Sequence, residues 1–489
     1  MENIAYKRIW FDDGAQSFII VLLFSQLFFL NGVYLFCGGI CLWVVITRLQ
    51  QPFKPSIFTI IFLYHLIQVL AGIWLSNFLG KDINFRSENT GTATIAAYAG
   101  LLFLFTPIIY YQNKIPNISL ELFKRHAFRL SIERTFKVYV VIFFLVNAMG
   151  GFAFLIPGLA QIIISVVKIK WFAFLLFGFQ ALLKKRFQKQ FIFFVLLEFS
   201  LGFFSFFSDF KTVMFFGAFI AIVFLRRVYL RHVIIAVITV IALFYLGVTW
   251  TSVKGEYRAF LNQGSKSQTV NVGKEDALSK LVELSGNRPE NNFDNAAAEF
   301  FLRLQYTYHL AKTMDRIPAV LPHEYGANLG RTLSFVTTPR FLNPDKPKYE
   351  ASVKASKYTG ISYLGASSGV SFSLGYFADC YIDFGYFGMM FPLLTLGILF
   401  GSTYFYFIRK SSTNFIFNYA VVGAMFMEFH AFEADSTFLM GRLFATLLTF
   451  FMLKIFFFPW LFNYLSVAPV NTEYHGSAEK SAVLAFPVQ

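Results

Sequence analysis

Four cations mark one stretch of the sequence as able to meet a phosphate. Arg331 is followed by Arg340, Lys346 and Lys348 within Thr338-Pro339-Arg340-Phe341-Leu342-Asn343-Pro344-Asp345-Lys346-Pro347-Lys348-Tyr349. Pro339, Pro344 and Pro347 stiffen it, and a stiff loop loses less entropy when it holds its cations in one arrangement. A fixed anion-binding surface for a pyrophosphate at a bilayer is one reading. A solvated basic loop drawn to anionic lipid heads is the other. Downstream, Gly375-Tyr376-Phe377-Ala378-Asp379-Cys380-Tyr381-Ile382-Asp383-Phe384-Gly385 sets two carboxylates around a tyrosine. At i and i+4, Asp379 and Asp383 share one helix face, where repulsion and partial burial raise one pKa and suit proton acceptance. Capping or solvating a helix start is the alternative.

A third group comprises Glu428, His430, Glu433 and Asp435, with Arg442 about two turns into the next apolar run. Arg442 reads as a phosphate-binding residue or as one that snorkels to the interface. The three acids have no spacing that fixes a metal geometry, so no metal is assigned. Lys168, Lys170 and Glu198 interrupt two further apolar runs and must face protein, water or each other. They suit a Lys-to-Glu pair or a polar path for a lipid-linked head group.

The elements that position these residues follow from apolar runs near 17–30, 33–47, 56–78, 93–112, 138–156, 159–183, 191–208, 212–225, 230–251, 384–407, 413–431 and 436–458. They predict an all-α polytopic membrane helix bundle of about twelve spans. The first two runs, divided at Asn31 and Gly32, are either two short spans or one kinked helix. Lys and Arg collect after the second, fourth, sixth, eighth and tenth runs, as in Arg48 and Lys54, Lys184 to Lys189, and Arg409 and Lys410. That alternation predicts both termini in the cytoplasm. The predicted organisation is spans 1–9 over 1–251, an extracytoplasmic loop over 252–374, spans 10–12 over 375–462 and a cytoplasmic tail over 463–489. Within the loop, 262–295 reads as poorly structured, Ala296 to Met314 as helical, and the whole as a short helix pair with an irregular loop over the mouth of the bundle. No cleavage site ends the first run, which reads as an anchor, and no inverted repeat of the kind common in transporters is evident.

Composition supports the membrane reading: of 489 residues, 56% are hydrophobic and only 14% charged, with mean hydropathy +0.58. The net charge of +15 is split into short clusters between apolar runs, which argues against nucleic acid as a partner. Cys37, Cys41 and Cys380 have no metal or disulfide spacing. No Gly-rich nucleotide loop is present, and no cofactor is implied.

In its loop motifs the chain resembles the Wzy-type polymerases of bacterial O-antigen and oligosaccharide repeat units. Pro339-Arg340 and Pro344-Asp345-Lys346-Pro347 match that family's Pro-Arg and Pro-x-Lys-Pro signals. Asp379, Tyr381, Phe384 and Gly385 match its acid-x-Tyr-x-Asn-Phe-Gly stretch, with Asp383 where Asn is usual and Asp379 where Glu is commoner. Arg303-Leu304-Gln305 and Tyr325-Gly326 look like its weaker signals. The resemblance implies a glycosyltransferase-C-like fold in a bacterial cytoplasmic membrane. It also implies inverting transfer from an undecaprenyl-diphosphate-linked chain onto another lipid-linked repeat unit, with membrane lipid, a chain-length regulator and a flippase as partners. On this reading Asp379 orients or deprotonates the acceptor hydroxyl and Arg340 stabilises the leaving phosphate. Arg303, Arg331, Lys346, Lys348, Tyr381, Arg442 and Lys168 bind substrate. A polysaccharide ligase using His309 or His323, and a lipid-linked oligosaccharide flippase, are the rival readings.

Overall fold

A computed structural model describes residues 10–54, 56–149, 165–203, 210–225, 227–264, 271–286, 293–338, 343, 345–346, 349–365, 371–430 and 432–467. It is 79% helical. Each of the twelve apolar runs overlaps a helix. The first ten helices are α1 (Asp13–Ser25), α2 (Gly32–Leu49), α3 (Ile57–Phe78), α4 (Thr90–Asn113), α5 (Leu120–Phe128), α6 (Ile132–Met149), α7 (Ile169–Lys184), α8 (Gln188–Phe203), α9 (Phe210–Val223) and α10 (Leu230–Leu261). Then follow α11 (Lys274–Gly286), α12 (Phe293–Leu304), α13 (Thr307–Arg316), α14 (Ala327–Thr337), α15 (Ala351–Thr359), α16 (Tyr376–Gly388), α17 (Met390–Lys410), α18 (Phe415–Phe426), α19 (Ser436–Met452) and α20 (Phe458–Leu465). Among the described residues seven helices are long and apolar enough to cross a membrane, and three shorter ones are apolar. The protein is therefore an all-α membrane protein.

The first two runs are separate helices. Asn31 adopts φ 58° and its side chain is pinned between Asn77 Oδ1, 2.8 Å away, and the amide of Ile83 at 2.9 Å. A left-handed residue so anchored ends the helix on either side of it. Polar caps set other starts: Asp12 accepts from the Ala15 amide, Ser119 from Leu122, and Asn414 from Ile416 and Phe417. Extended pairing among the described residues is limited to Trp10–Phe11 against Arg227–Val228, in parallel, and two isolated bridges.

The centre is the contact of α4 with α17. Gly397 and Gly401, four apart, let the backbones approach so closely that a Cβ on Gly397 would lie 2.1 Å from the Leu104 carbonyl oxygen. Small residues at this spacing replace hydrophobic exclusion as the source of helix association in lipid, where packing must supply the energy. Aromatic rings fill what remains: Phe58 lies 4.8 Å from Phe426 and 5.5 Å from Tyr404, centroid to centroid. By contrast α10 is peripheral, with only 11% of its apolar window buried by protein.

Beyond α10 the chain is more ordered than its composition predicts. The segment expected to be poorly structured contains α11, which sets Ala277, Leu281 and Leu284 against Trp250 and Tyr257 of α10. Burial of that face overrides a polar sequence with weak periodicity. The expected helix over Ala296 to Met314 is two helices, broken at Gln305 and Tyr306, where the Tyr306 amide donates to the Gln68 carbonyl. In place of a helix pair, the segment forms, among its described residues, five helices, α11 to α15. It docks on the end of the bundle where α3 finishes and α4 begins: Asp315 accepts from Ser87 Oγ at 2.7 Å and Asn89 Nδ2 at 3.0 Å, and Arg86 lies over the Tyr308 ring.

Candidate functional site

Two glycines shape the acidic motif. Gly375, φ 83°, lies against the Phe432 carbonyl, and Gly385, φ 68° and ψ −169°, breaks α16 one turn before α17 begins. Only glycine takes the second conformation without strain. The break leaves Tyr376 to Asp383 as a short segment buried on every face.

Both aspartates are therefore inside, with no solvent exposure. Asp379 pairs with Lys354 of α15 at 2.6 Å, accepts from the Ser436 amide at 2.7 Å and lies 3.5 Å from Asn328 Nδ2. Asp383 caps α14 by accepting from the amides of Asn328 at 3.0 Å and Leu329 at 2.8 Å. The shared face expected from their spacing is present, and it is turned towards the start of α14 rather than towards water. Burial, with the Asp379 charge adding to it, raises the Asp383 carboxyl, against the pull of the capping amides. Asp435 caps α19 through Phe438 and accepts from Tyr349 Oη at 2.5 Å. Burial and Asp379 raise it as well.

The cations divide. Arg331 meets Glu324 at 2.7 Å, and Glu324 also accepts from Tyr358 Oη and Lys357. Burial alone would raise Glu324; hydrogen bonds from Tyr358, Arg331 and Lys357 overcome it and bring the carboxyl down to about 2. Lys346 turns back to the Phe335 and Thr338 carbonyls at the end of α14, over the Phe335 ring. It therefore helps fasten the end of α14. Arg303 pairs with Glu299 one turn back on α12. Tyr381 donates to the Ile317 carbonyl at 2.9 Å and packs edge-on to His323. His309 Nδ1 lies 2.8 Å from Tyr363 Oη. Arg340 and Lys348 lie outside the described residues.

Deeper in the bundle, Glu428 joins Lys168, with which it pairs, to Arg442, whose Nε is 3.7 Å away. Lys170 pairs with Glu198 at 2.9 Å, and Tyr139 Oη reaches the same carboxylate. Four charged residues, Lys168 at the N-cap of α7, Lys170 of α7, Glu198 of α8 and Glu428 of the α18–α19 connection, line a cavity of about 390 Å³. Above it α14 runs along α19, with Thr332 and Thr437 hydroxyls 3.2 Å apart and Val336 beside Gly441. The last turn of α14, from which the Pro-framed cations follow, thus lies next to Arg442.

Glu433 lies at the same end. One of its oxygens accepts from Gln68 Nε2 at 2.7 Å; the other has no partner among the described residues, and the side chain is partly exposed. Its charge acts on Arg442 and on Lys254. The three acids grouped in the sequence are thus distributed among different partners, and among the described residues no three metal-ligating side chains gather. Sequence reasoning missed Lys354, Asn328, Gln68 and Glu324. Lys354 and Glu324 look like ordinary surface charges in a polar stretch, and no local signal marks any of the four.

Fold and site define a helical membrane protein with a folded polar segment docked on one end of its bundle. Within that class the chain belongs to the family described as domain of unknown function DUF8712, which matches residues 117–432. Comparison with curated proteins and with solved structures gives no match.

Proposed function

We propose that the protein polymerises undecaprenyl-diphosphate-linked oligosaccharide repeat units at the outer face of a bacterial cytoplasmic membrane, with about twelve spans and both termini cytoplasmic. The observation that supports this reading is the packing of α14 along α19, which sets the end of α14, the helix that precedes the basic stretch in the sequence, near Arg442 and, through Glu428, Lys168. A lipid diphosphate leaving group needs fixed positive charge where its own negative charge develops, and on this reading Arg442 and Lys168 provide it.

In the reaction the acceptor hydroxyl oxygen forms a bond to the donor's anomeric carbon. The bond from that carbon to the diphosphate breaks, and the electron pair leaves with the phosphate oxygen. The hydroxyl proton passes to a carboxylate. Asp379, with no exposure and its oxygens engaged by Lys354 and Ser436, is suited to holding α15, α16 and α19 together. Glu433, partly exposed and with one oxygen that has no partner among the described residues, is better suited to receive the proton. Arg442 and Lys168, with Arg340, take the diphosphate, and Arg331 presents its guanidinium on the exposed side of α14.

The test is the surface polysaccharide of cells lacking the protein, complemented with wild type or Arg340→Ala at matched expression. Single repeat units in place of a ladder, in both the deletion and the mutant, support polymerisation. Loss of the capped single units as well would favour a ligase or a flippase.

A further inference from the structure

The opposite end of the bundle holds a cavity of about 480 Å³ between α2, α4 and the turn joining α2 to α3, a volume within the range of roughly 300–1,000 Å³ common to small-ligand sites. Its walls carry Arg48, Gln51, Lys54, Asn113 and Asn117, and no carboxylate. Lys54 is the unusual member. It is 1% exposed, and among the described residues neither a carboxylate nor a hydrogen-bond acceptor pairs with its ammonium. The turn that carries it is itself fixed: Gln50, Gln51 and Phe53 are buried, Gln51 and Lys54 form a backbone bridge, and the Phe53 amide donates to the Val223 carbonyl. Lys54 is therefore held at the cavity wall.

A buried ammonium without a counter-charge is costly, so the arrangement calls for an anion. Burial by itself brings the Lys54 ammonium down to about 8, and a bound anion would reverse that. Apart from Arg48, the other wall residues, Thr47, Gln51, Ile109, Asn113 and Asn117, are neutral. Gln51 Nε2 donates to Asn113 Oδ1 at 2.7 Å, which orients the Asn113 amide and leaves its Nδ2 to donate, and the Arg48 guanidinium stands at the exposed rim. Two cations with neutral amide donors and no acid match a phosphate group, with its several acceptor oxygens and full charge.

We propose that this cavity binds a phosphate-bearing anion, seated between the Lys54 ammonium and the Arg48 guanidinium. The phosphate belongs either to a lipid headgroup entering from the bilayer or to a soluble compound. The site is separate from the outer mouth and does not depend on the reading given for it.

The test titrates the full-length protein, in neutral detergent, with inorganic phosphate and separately with dioctanoyl phosphatidic acid, reading the unfolding temperature against sodium chloride at matched ionic strength. A saturable rise with a phosphate probe that chloride does not reproduce is expected. Its midpoint should shift about tenfold or more to higher concentration in Lys54→Gln and in Arg48→Gln, as loss of a charged hydrogen bond implies. A response to inorganic phosphate assigns a soluble anion; a response confined to phosphatidic acid assigns a headgroup. No rise, or a rise identical in wild type and variants, overturns the site. If Lys54→Gln does not fold, Arg48→Gln at the exposed rim carries the comparison alone.

Discussion

Lys354 and Asp379 form an ion pair of 2.6 Å in which the carboxylate has no exposure. Removing one member of a buried pair leaves the other charged and unsolvated, at a cost of about 3–5 kcal/mol. Lys354→Met should therefore lower the stability of the purified protein by that order. Asp379→Asn should cost less, since a side-chain oxygen can still accept from the Ser436 amide. Thermal unfolding in detergent checks both, and a Lys354→Met protein that melts with wild type would mean Asp379 is neutral or differently paired.

Glu324 gives the docked segment an acid limit. Its carboxyl lies at about 2 in the folded protein against 4.5 for the free side chain, because Tyr358, Arg331 and Lys357 hydrogen-bond the ionised form. A depressed carboxylate contributes stability that is complete above the unfolded value and is lost as pH falls through the folded one. The wild type should then exceed Glu324→Gln in melting temperature above pH 4.5, with the gap closing towards pH 2. A gap independent of pH would remove the ion cluster as its cause.

The α4–α17 contact predicts a steric effect independent of charge. A methyl on Gly397 would meet the Leu104 carbonyl oxygen at 2.1 Å, and both partners are backbone, so neither can rotate away. Gly397→Ala should destabilise by about 1–3 kcal/mol or more. Gly330→Ala, with nothing near its Cβ position, is the control and should be tolerated. Unfolding measured in one detergent compares the two.

Much of this architecture was legible because membrane helices announce themselves through apolar length, and each of the twelve runs overlaps a helix among the described residues. The Asn31 break was marked by its own turn residues. What escaped had no local cause. Lys354 and Asp379, like Lys168 and Glu428, meet only because distant helices pack, and period and spacing carry no information about such pairs. The helix α11 was missed because its hydrophobic face is three residues in a polar stretch, stabilised by Trp250 and Tyr257 elsewhere. The sequence offers Asp383 as a proton acceptor or as a cap of its own helix; the helix it caps is α14, 55 residues earlier, which spacing along the chain does not reveal. The nine-residue α5 carries too short a pattern to separate from a connection.

The proposed chemistry separates two carboxylates that look interchangeable in the sequence. Glu433→Gln keeps an oxygen to accept from Gln68 Nε2, so the fold should survive, while the variant can no longer take a proton. Polymerisation of lipid-linked repeat units by the purified variant should fall by about 10²–10⁴-fold in kcat with little change in KM, the usual weight of a general base. Asp379→Asn, buried and away from the opening, should lose activity only in proportion to the folded protein it loses. Measuring kcat and the folded fraction of each variant side by side decides the assignment. An Asp379→Asn protein that is fully folded and inactive, beside a Glu433→Gln protein with unchanged kcat, would return the base to Asp379 and require Lys354 to leave it during turnover.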